Sequence, residues 1–260
     1  MRAIFFIAIL SIVGGTPPDS TVAQEFDGGT VFYQKTVKYG FESVYGGEIS
    51  DPRKQQWLES LPKEGKQVGV LYFTKNIARY EGDSSEQEAQ SPSLQWAIQG
   101  AFKRRPPKPE LKQVYYDFDA KRKTEQVGFM MRDFLMESEI DRQTWKLTNR
   151  LVKVHGYTCM AAERKEGEKS VTAWFASEIP VHVGPDRYFG LPGLILVVEV
   201  DGETVYMATS VTLVRPEDDS LAELEDGKKI SESEFDKIVE EKVLEFNEIM
   251  KSGKGNGSGK

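Results

Sequence analysis

Residues 194–200 read LILVVEV, with Glu199 the single polar position; such a run predicts a strand covered on both faces. Elsewhere the apolar positions alternate. Residues 30–39 set Val31, Tyr33, Val37 and Tyr39 against Phe32, Gln34, Thr36 and Lys38, predicting a first strand with an aromatic-rich face. Residues 68–80 resume β character through Val70, Tyr72 and Phe73. Residues 113–118 and 125–137 are expected to pair about a turn at 120–123, with Tyr115, Phe118, Phe129 and Phe134 supplying bulk. Residues 145–165 and 170–181 form the next expected hairpin. A two-residue turn at Glu166 and Gly167 would set Cys159 opposite Trp174 and Ala161 opposite Thr172.

Two turns frame the apolar run. Pro192 followed by Gly193 suits a type II turn, since proline presets φ and glycine accepts the positive φ that follows. Asp201 and Gly202 suit a two-residue hairpin turn that needs positive φ twice. That loop predicts Val200 opposite Glu203, Val198 opposite Val205, Leu196 opposite Met207 and Leu194 opposite Thr209, with Ile195, Val197 and Glu199 on the other face beside Ala208, Tyr206 and Thr204.

Helical spacing is rarer. Asp51 and Pro52 are a capping residue and a first-turn proline, opening a short helix with Trp57, Leu58 and Leu61 as apolar contacts. Ser231 and Glu234 make a capping box, Ile230 and Phe235 a hydrophobic staple. Phe235, Val239, Val243, Phe246 and Met250 then recur at helical spacing. A helix over 231–251, packed on the sheet, and a flexible tail over 252–260 follow. The fold expected is α+β: a curved, mainly antiparallel β-sheet with a few helices and the C-terminal helix, the β-rich domain covering 24–230. Its nearest analogue is the half-barrel of the periplasmic lipoprotein-carrier type, and fold by itself does not fix function.

The start of the chain changes the expected compartment. Arg2 precedes an apolar run from Ile4 to Val13, and Thr21, Val22 and Ala23 offer small residues at the spacing of a signal-peptidase site. Residues 1–23 therefore read as a signal peptide cleaved near Ala23, giving a periplasmic or secreted protein. The run is about half a membrane span, so no transmembrane span is expected. The chain carries 34 Lys and Arg against 41 Asp and Glu, a net charge of −7, which argues against nucleic acid as a partner. One cysteine allows no internal disulfide.

Several motifs stand in order along the second half: WKLT at 145–148, GYTCMAA at 156–162, AWFASEIPV at 173–181, Gly184 and Pro185, and FGLPGLIL at 189–196. On these, the stretch from Trp145 to Val214 resembles the GLPGLI family of secreted proteins from Gram-negative bacteria. The resemblance singles out Gly184, Pro185, Gly190, Leu191, Pro192, Gly193, Leu194 and Ile195 as structural motif residues. It carries no catalytic or ligand-binding residue onto this chain. It does imply a partner, an outer-membrane TonB-dependent transport protein.

Candidate chemistry is sparse. No GxSxG, HExxH, Walker, dinucleotide or CxxC pattern occurs. Met130, Met131 and Met136 are expected in the core, and Cys159 as a buried, inert thiol. With His155 and His182 the thiol matches no zinc or copper spacing, so no metal or cofactor is expected. KRRPPKP at 103–109 reads as an exposed extended loop, either a solvated linker or a contact for an acidic partner or anionic headgroups. The functional expectation is an exported, non-enzymatic binding or accessory protein engaging an apolar ligand, a lipid or a transport partner. The alternative is a hydrolase whose site assembles only in three dimensions.

Overall fold

The computed structural model describes residues 27–45, 51–83 and 92–255. The expected signal peptide lies outside them. Twelve strands make one mixed sheet: β1 (Gly29–Lys38), β2 (Glu64–Phe73), β3 (Ile77–Asp83), β4 (Glu110–Asp117), β5 (Arg122–Phe129), β6 (Arg132–Glu139), β7 (Lys146–Val154), β8 (Tyr157–Glu166), β9 (Lys169–Ala176), β10 (Leu194–Val200), β11 (Thr204–Thr212) and β12 (Lys228–Lys229). Their order is β12-β6-β5-β4-β3-β2-β1-β11-β10-β9-β8-β7. β1 is the hub. One antiparallel meander runs outward from it through β2 to β6, and a second runs inward from β7 to β11, its other neighbour. Only the two-residue β12 is parallel, to β6.

Tight turns make the meanders, and several come from residues that take left-handed φ. Asp201 and Gly202 have φ of 52° and 67°, with Glu203 N donating to Val200 O at 2.9 Å, the turn the sequence predicts. The register differs by one residue. Val200 pairs Thr204 and Val198 pairs Tyr206, because the Glu203 carbonyl is taken by Lys38 N of β1 (2.8 Å) and Glu203 stays out of the ladder. β10 also carries an extra residue, Leu196, between the pairs Ile195–Phe175 and Val197–Trp174. Leu196 and Val197 consequently join one core cluster, while Ile195, Val198 and Val200 join another. The strand is still buried on both sides, and Tyr206, not Met207, is the buried residue opposite it.

Two segments that read as single strands are hairpins. Met130 and Met131, with φ of 50° and 63°, form the β5–β6 turn and are exposed; of the three methionines expected inside, only Met136 is buried. His155 and Gly156 form the β7–β8 turn with φ of 49° and 87°. The β8–β9 turn is Gly167–Glu168, one place later than expected, so Cys159 faces Ala176 and Ala161 faces Trp174. Moving a two-residue turn by one place preserves which face each residue occupies, and Cys159 is fully buried.

Helices sit beside the sheet. Asp51 caps α2 (Pro52–Ser60) by accepting from Arg53 N at 2.9 Å; α1 (Phe41–Tyr45) precedes it. α3 (Pro92–Phe102) overlaps a stretch whose polar, acidic start hides it in sequence. Leu94, Ala97 and Ala101 pack there on Phe41, Leu58 and Leu61 as a satellite cluster. α4 (Glu232–Gly255) begins with the predicted capping box, Ser231 N to Glu234 Oε2 at 3.2 Å and Glu234 N to Ser231 Oγ at 3.3 Å. It runs four residues past the expected end. Its first turns pack through Phe235 on Phe134 and Phe129 (ring centroids 5.2 and 6.0 Å), whereas Leu244 and Ile249 are exposed. Residues 256–260 of the predicted tail lie outside the described residues.

The turn at Pro192 is not type II. Gly193 N donates to Leu191 O at 2.8 Å, closing a three-residue turn about Pro192, and Gly193 has φ +158°. Its lack of a side chain matters for a different reason: a Cβ there would lie 2.3 Å from Ala176 O. Gly190 is the converse, at φ +85° with no atom nearer than 3.8 Å. Gly193→Val should therefore cost about 3 kcal/mol through forced backbone displacement, and Gly190→Ala only about 1 kcal/mol of conformational strain. Urea unfolding midpoints of the two variants check this, and equal losses would show that Gly193 is not tightly packed.

Candidate functional site

The longest connection in the second meander, residues 177–193 between β9 and β10, runs through the interior. Ile179, Val181 and Val183 alternate into the core, with Pro180 and His182 exposed. The backbone is tied to β10 and to itself: Leu194 N to Ile179 O at 3.0 Å, Ile195 N to Val183 O at 2.9 Å, and Gly190 N to His182 O at 2.8 Å. Gly184 permits this. A Cβ on it would sit 2.6 Å from Ile195 Cβ.

At its tip Asp186 takes φ 56°, and two side chains point in opposite chemical senses. The Asp186 carboxylate accepts from Tyr206 Oη at 2.7 Å and from Arg187 N at 2.9 Å. Arg187 crosses to the first meander, donating through Nε and Nη2 to the two oxygens of Glu125 on β5, each at 3.0 Å. Lys123 adds a contact at 3.3 Å. Gln143 brackets the tip, donating to Arg187 O at 2.7 Å and accepting from Phe189 N at 3.2 Å. Trp145 Nε1 donates to Phe189 O at 2.9 Å, and Phe189 rests on Tyr116 of β4 with ring centroids 5.2 Å apart.

Burial by itself would raise the Glu125 carboxyl, but the Arg187 guanidinium and Lys123 overcome it and hold it below the usual carboxylate range. Burial, reinforced by the Asp186 charge, pushes the Tyr206 and Tyr80 phenols upward. Burial likewise raises Tyr116, with Glu125 and Asp186 adding to it. Glu125 is thus an ionised acceptor and these phenols are protonated donors. Such a set holds chain segments together; it is not poised for proton transfer near neutrality.

The motif residues Gly184, Pro185, Gly190, Leu191, Pro192, Gly193, Leu194 and Ile195 all fall in this connection or the start of β10. The other candidates are placed apart from it in role. His155 Nε2 meets Ala208 O at 2.7 Å and His182 Nδ1 meets Leu191 O at 2.8 Å, each ring bonding the main chain. Burial, with Glu178 nearby, pushes the Cys159 thiol up to about 11. In the 103–109 loop Arg104 lies over the Tyr45 ring at 4.9 Å, and Arg105 donates to Ser43 Oγ at 3.4 Å. Asp186 and Arg187 stood unremarked between two motif pieces, and nothing local marks Glu125 as their partner.

Two outcomes follow. Removing one partner of a fully buried pair costs roughly 3–5 kcal/mol; because the Arg187 side chain is 43% exposed while that of Glu125 is 9%, Glu125→Gln should cost about 2 kcal/mol. The folded carboxyl is depressed relative to the unfolded one, so its contribution is complete above about pH 5 and is lost as pH falls below about 4. Urea midpoints should fall for the natural protein as pH is lowered from about 5 to below about 4, and stay flatter for Glu125→Gln. Thiol labelling of Cys159 should be slow in native buffer and fast in denaturant; fast native labelling would put it at the surface.

Residues 119–197 match the family model described as "Protein of unknown function (Porph_ging)". Comparison with curated proteins gives no match. Among solved structures, PNGF-II is similar in two crystal forms, P21 and C2, at 14% identity and a TM-score of 0.50 in each. The likeness covers 82% of this chain but 33% and 32% of the PNGF-II chains, so this chain spans about a third of their length, and at that identity the likeness concerns the fold. The family model falls on the 177–193 connection and the strands around it, so it is residues 119–197 that match the family of GLPGLI-motif proteins.

Proposed function

We propose that this is an exported protein of the cell envelope, acting as a non-enzymatic binding or accessory module that docks an extended segment of an outer-membrane transport protein on the free edge of β7. One observation carries this: the two edges of the sheet are treated unequally. The β6 edge is covered by β12, with Ile230 N donating to Leu135 O at 3.1 Å, and by the start of α4. Among the described residues, β7 comes last in the order and pairs with β8 alone. Leu147, Leu151 and Val152 on it are exposed. An uncovered edge offers unpaired main-chain donors and acceptors to an incoming strand, and alternate side chains give the selectivity.

An apolar ligand has less support. Ten strand spacings separate β6 from β7, about 48 Å in a flat sheet, yet residues 140–145 join them, a reach of about 25 Å at full extension. A sheet curled as a half-barrel accounts for this, and for Tyr116 and Glu125 of the first meander meeting Phe189 and Arg187. In such a half-barrel the hollow would be filled by the 177–193 connection, in keeping with the contacts of Phe189 and Arg187 across the meanders. The cavity beside Asp186, bordered by Lys35, Tyr80 and Lys112, holds about 30 Å³, the scale of a water molecule and not of an acyl chain. For a hydrolase, Glu125 and Asp186 would have to leave their present partners.

Export is tested by N-terminal sequencing of the periplasmic protein, which should begin at Gln24. For docking, a photo-cross-linking residue is placed at Leu151 and, as a control, at Leu244 on α4. Adducts with an outer-membrane transport protein at position 151 and not at 244 are expected. Lipid adducts alone, or none at 151, would overturn the edge as a docking site.

A further inference from the structure

Beside the start of β7 the sheet edge steps back. β7 begins at Lys146, opposite Glu163, while β8 continues to Glu166; Arg164, Lys165 and Glu166 run on without β7 beside them. The chain before Lys146 is drawn away by the Trp145 indole, which is bonded to Phe189 O. The notch left is an open cavity of about 540 Å³, bordered by Trp145, Lys146, Glu163, Arg164, Lys165 and Ser170 among others. That volume is within the ordinary range of ligand sites.

We infer that this notch receives a carboxylate side chain of the docked segment, so that the partner strand is acidic; the inference rests on the β7 edge as the docking site. In a chain with net charge −7, β7 reads KLTNRLVKV, with three cations and no acid. The notch adds Arg164 and Lys165. The carboxylates close by are engaged: Glu163 with Arg150 at 2.6 Å, and Glu166 with Arg164. Arg164 lies over the rings of Trp145 (4.8 Å) and Tyr188 (5.4 Å). Among the described residues, its Nε is the buried side-chain nitrogen or oxygen without an acceptor or donor. A buried donor left unpaired is costly, and a guanidinium against aromatic faces is suited to recognising a carboxylate. The fitting occupant is an extended peptide alternating aliphatic side chains, on the face of Leu147 and Leu151, with Asp or Glu on the other.

The test uses the full mature protein and the fluorescently labelled peptides acetyl-(Val-Glu)4-amide and acetyl-(Val-Gln)4-amide, with phosphatidylglycerol vesicles as a third probe, read by anisotropy and co-sedimentation. The acidic peptide should bind roughly tenfold more tightly than the neutral one, a preference that salt weakens. The exposed-site double variant Lys146→Glu/Lys165→Glu should erase the preference while leaving neutral-peptide binding and the unfolding midpoint unchanged; Lys146→Gln/Lys165→Gln should reduce it. Equal binding of both peptides by the natural protein overturns the acidic notch and leaves the edge as a docking site. Binding of neither overturns both. Vesicle binding abolished by the same charge reversal, without peptide preference, overturns the inference in favour of a membrane contact.

Discussion

The constraint on which the rest depends is that the connecting chain 177–193 runs into the core, with Ile179, Val181, Val183, Tyr188, Phe189 and Leu191 buried. Connections ordinarily run over the surface, because inside a protein each main-chain N–H and C=O needs a partner. This one meets the requirement by borrowing: from β10 through Leu194 and Ile195, from itself through Gly190 and His182, and from side chains through Gln143, His182 and Trp145. Two of the motif's three glycines act where backbone must approach backbone or side chain, and Gly190 supplies a left-handed φ. Gly193 lies on Ala176 and Gly184 on Ile195. The motif is thus a packing prescription, which explains how it can be distinctive without containing a reactive group.

The same connection joins the two meanders. Most neighbouring strands within each meander are joined by tight turns, and the two meanders meet at β1. Arg187 on Glu125 and Phe189 on Tyr116 supply the long-range link. Tyr33 of β1 supplies another, its hydroxyl donating to Ile195 O at 2.7 Å. A bidentate ion pair fixes geometry better than a greasy contact, since the guanidinium fork and the carboxylate admit few relative orientations. Its energetic return is modest after desolvation, so its main effect is on the unique placement of the tip, while the aliphatic residues beneath it provide the stabilisation.

What the sequence could disclose was local. The Asp201–Gly202 turn, the Ser231–Glu234 box, the Asp51 cap and the buried Cys159 each depend on residues within a few positions of one another, and each is observed. What it could not disclose depends on distant chain. The β10 register follows from an extra residue at Leu196 and from Lys38 claiming the Glu203 carbonyl; alternation assumes that no such interruption occurs. The Met130–Met131 and His155–Gly156 turns use non-glycine residues at left-handed φ, where composition gives little warning. The tip of the candidate site fared similarly: its glycines were conspicuous, but the link between Arg187 and Glu125 spans 62 positions.

The unequal edges bear on how such a sheet avoids pairing with itself. An uncovered strand is a template for aggregation unless something discourages like from joining like. β12 and α4 cover one edge. On the other, β7 is interrupted between Leu147 and Leu151, where Thr148 turns its hydroxyl onto Ala161 O at 3.0 Å and breaks the regular ladder. Lys146, Arg150 and Lys153 then make the edge cationic, so two copies brought together along β7 would oppose like charges across the new ladder. That defence has a direction. Like charge disfavours another cationic strand there, and the acidic partner strand proposed above would meet no such opposition.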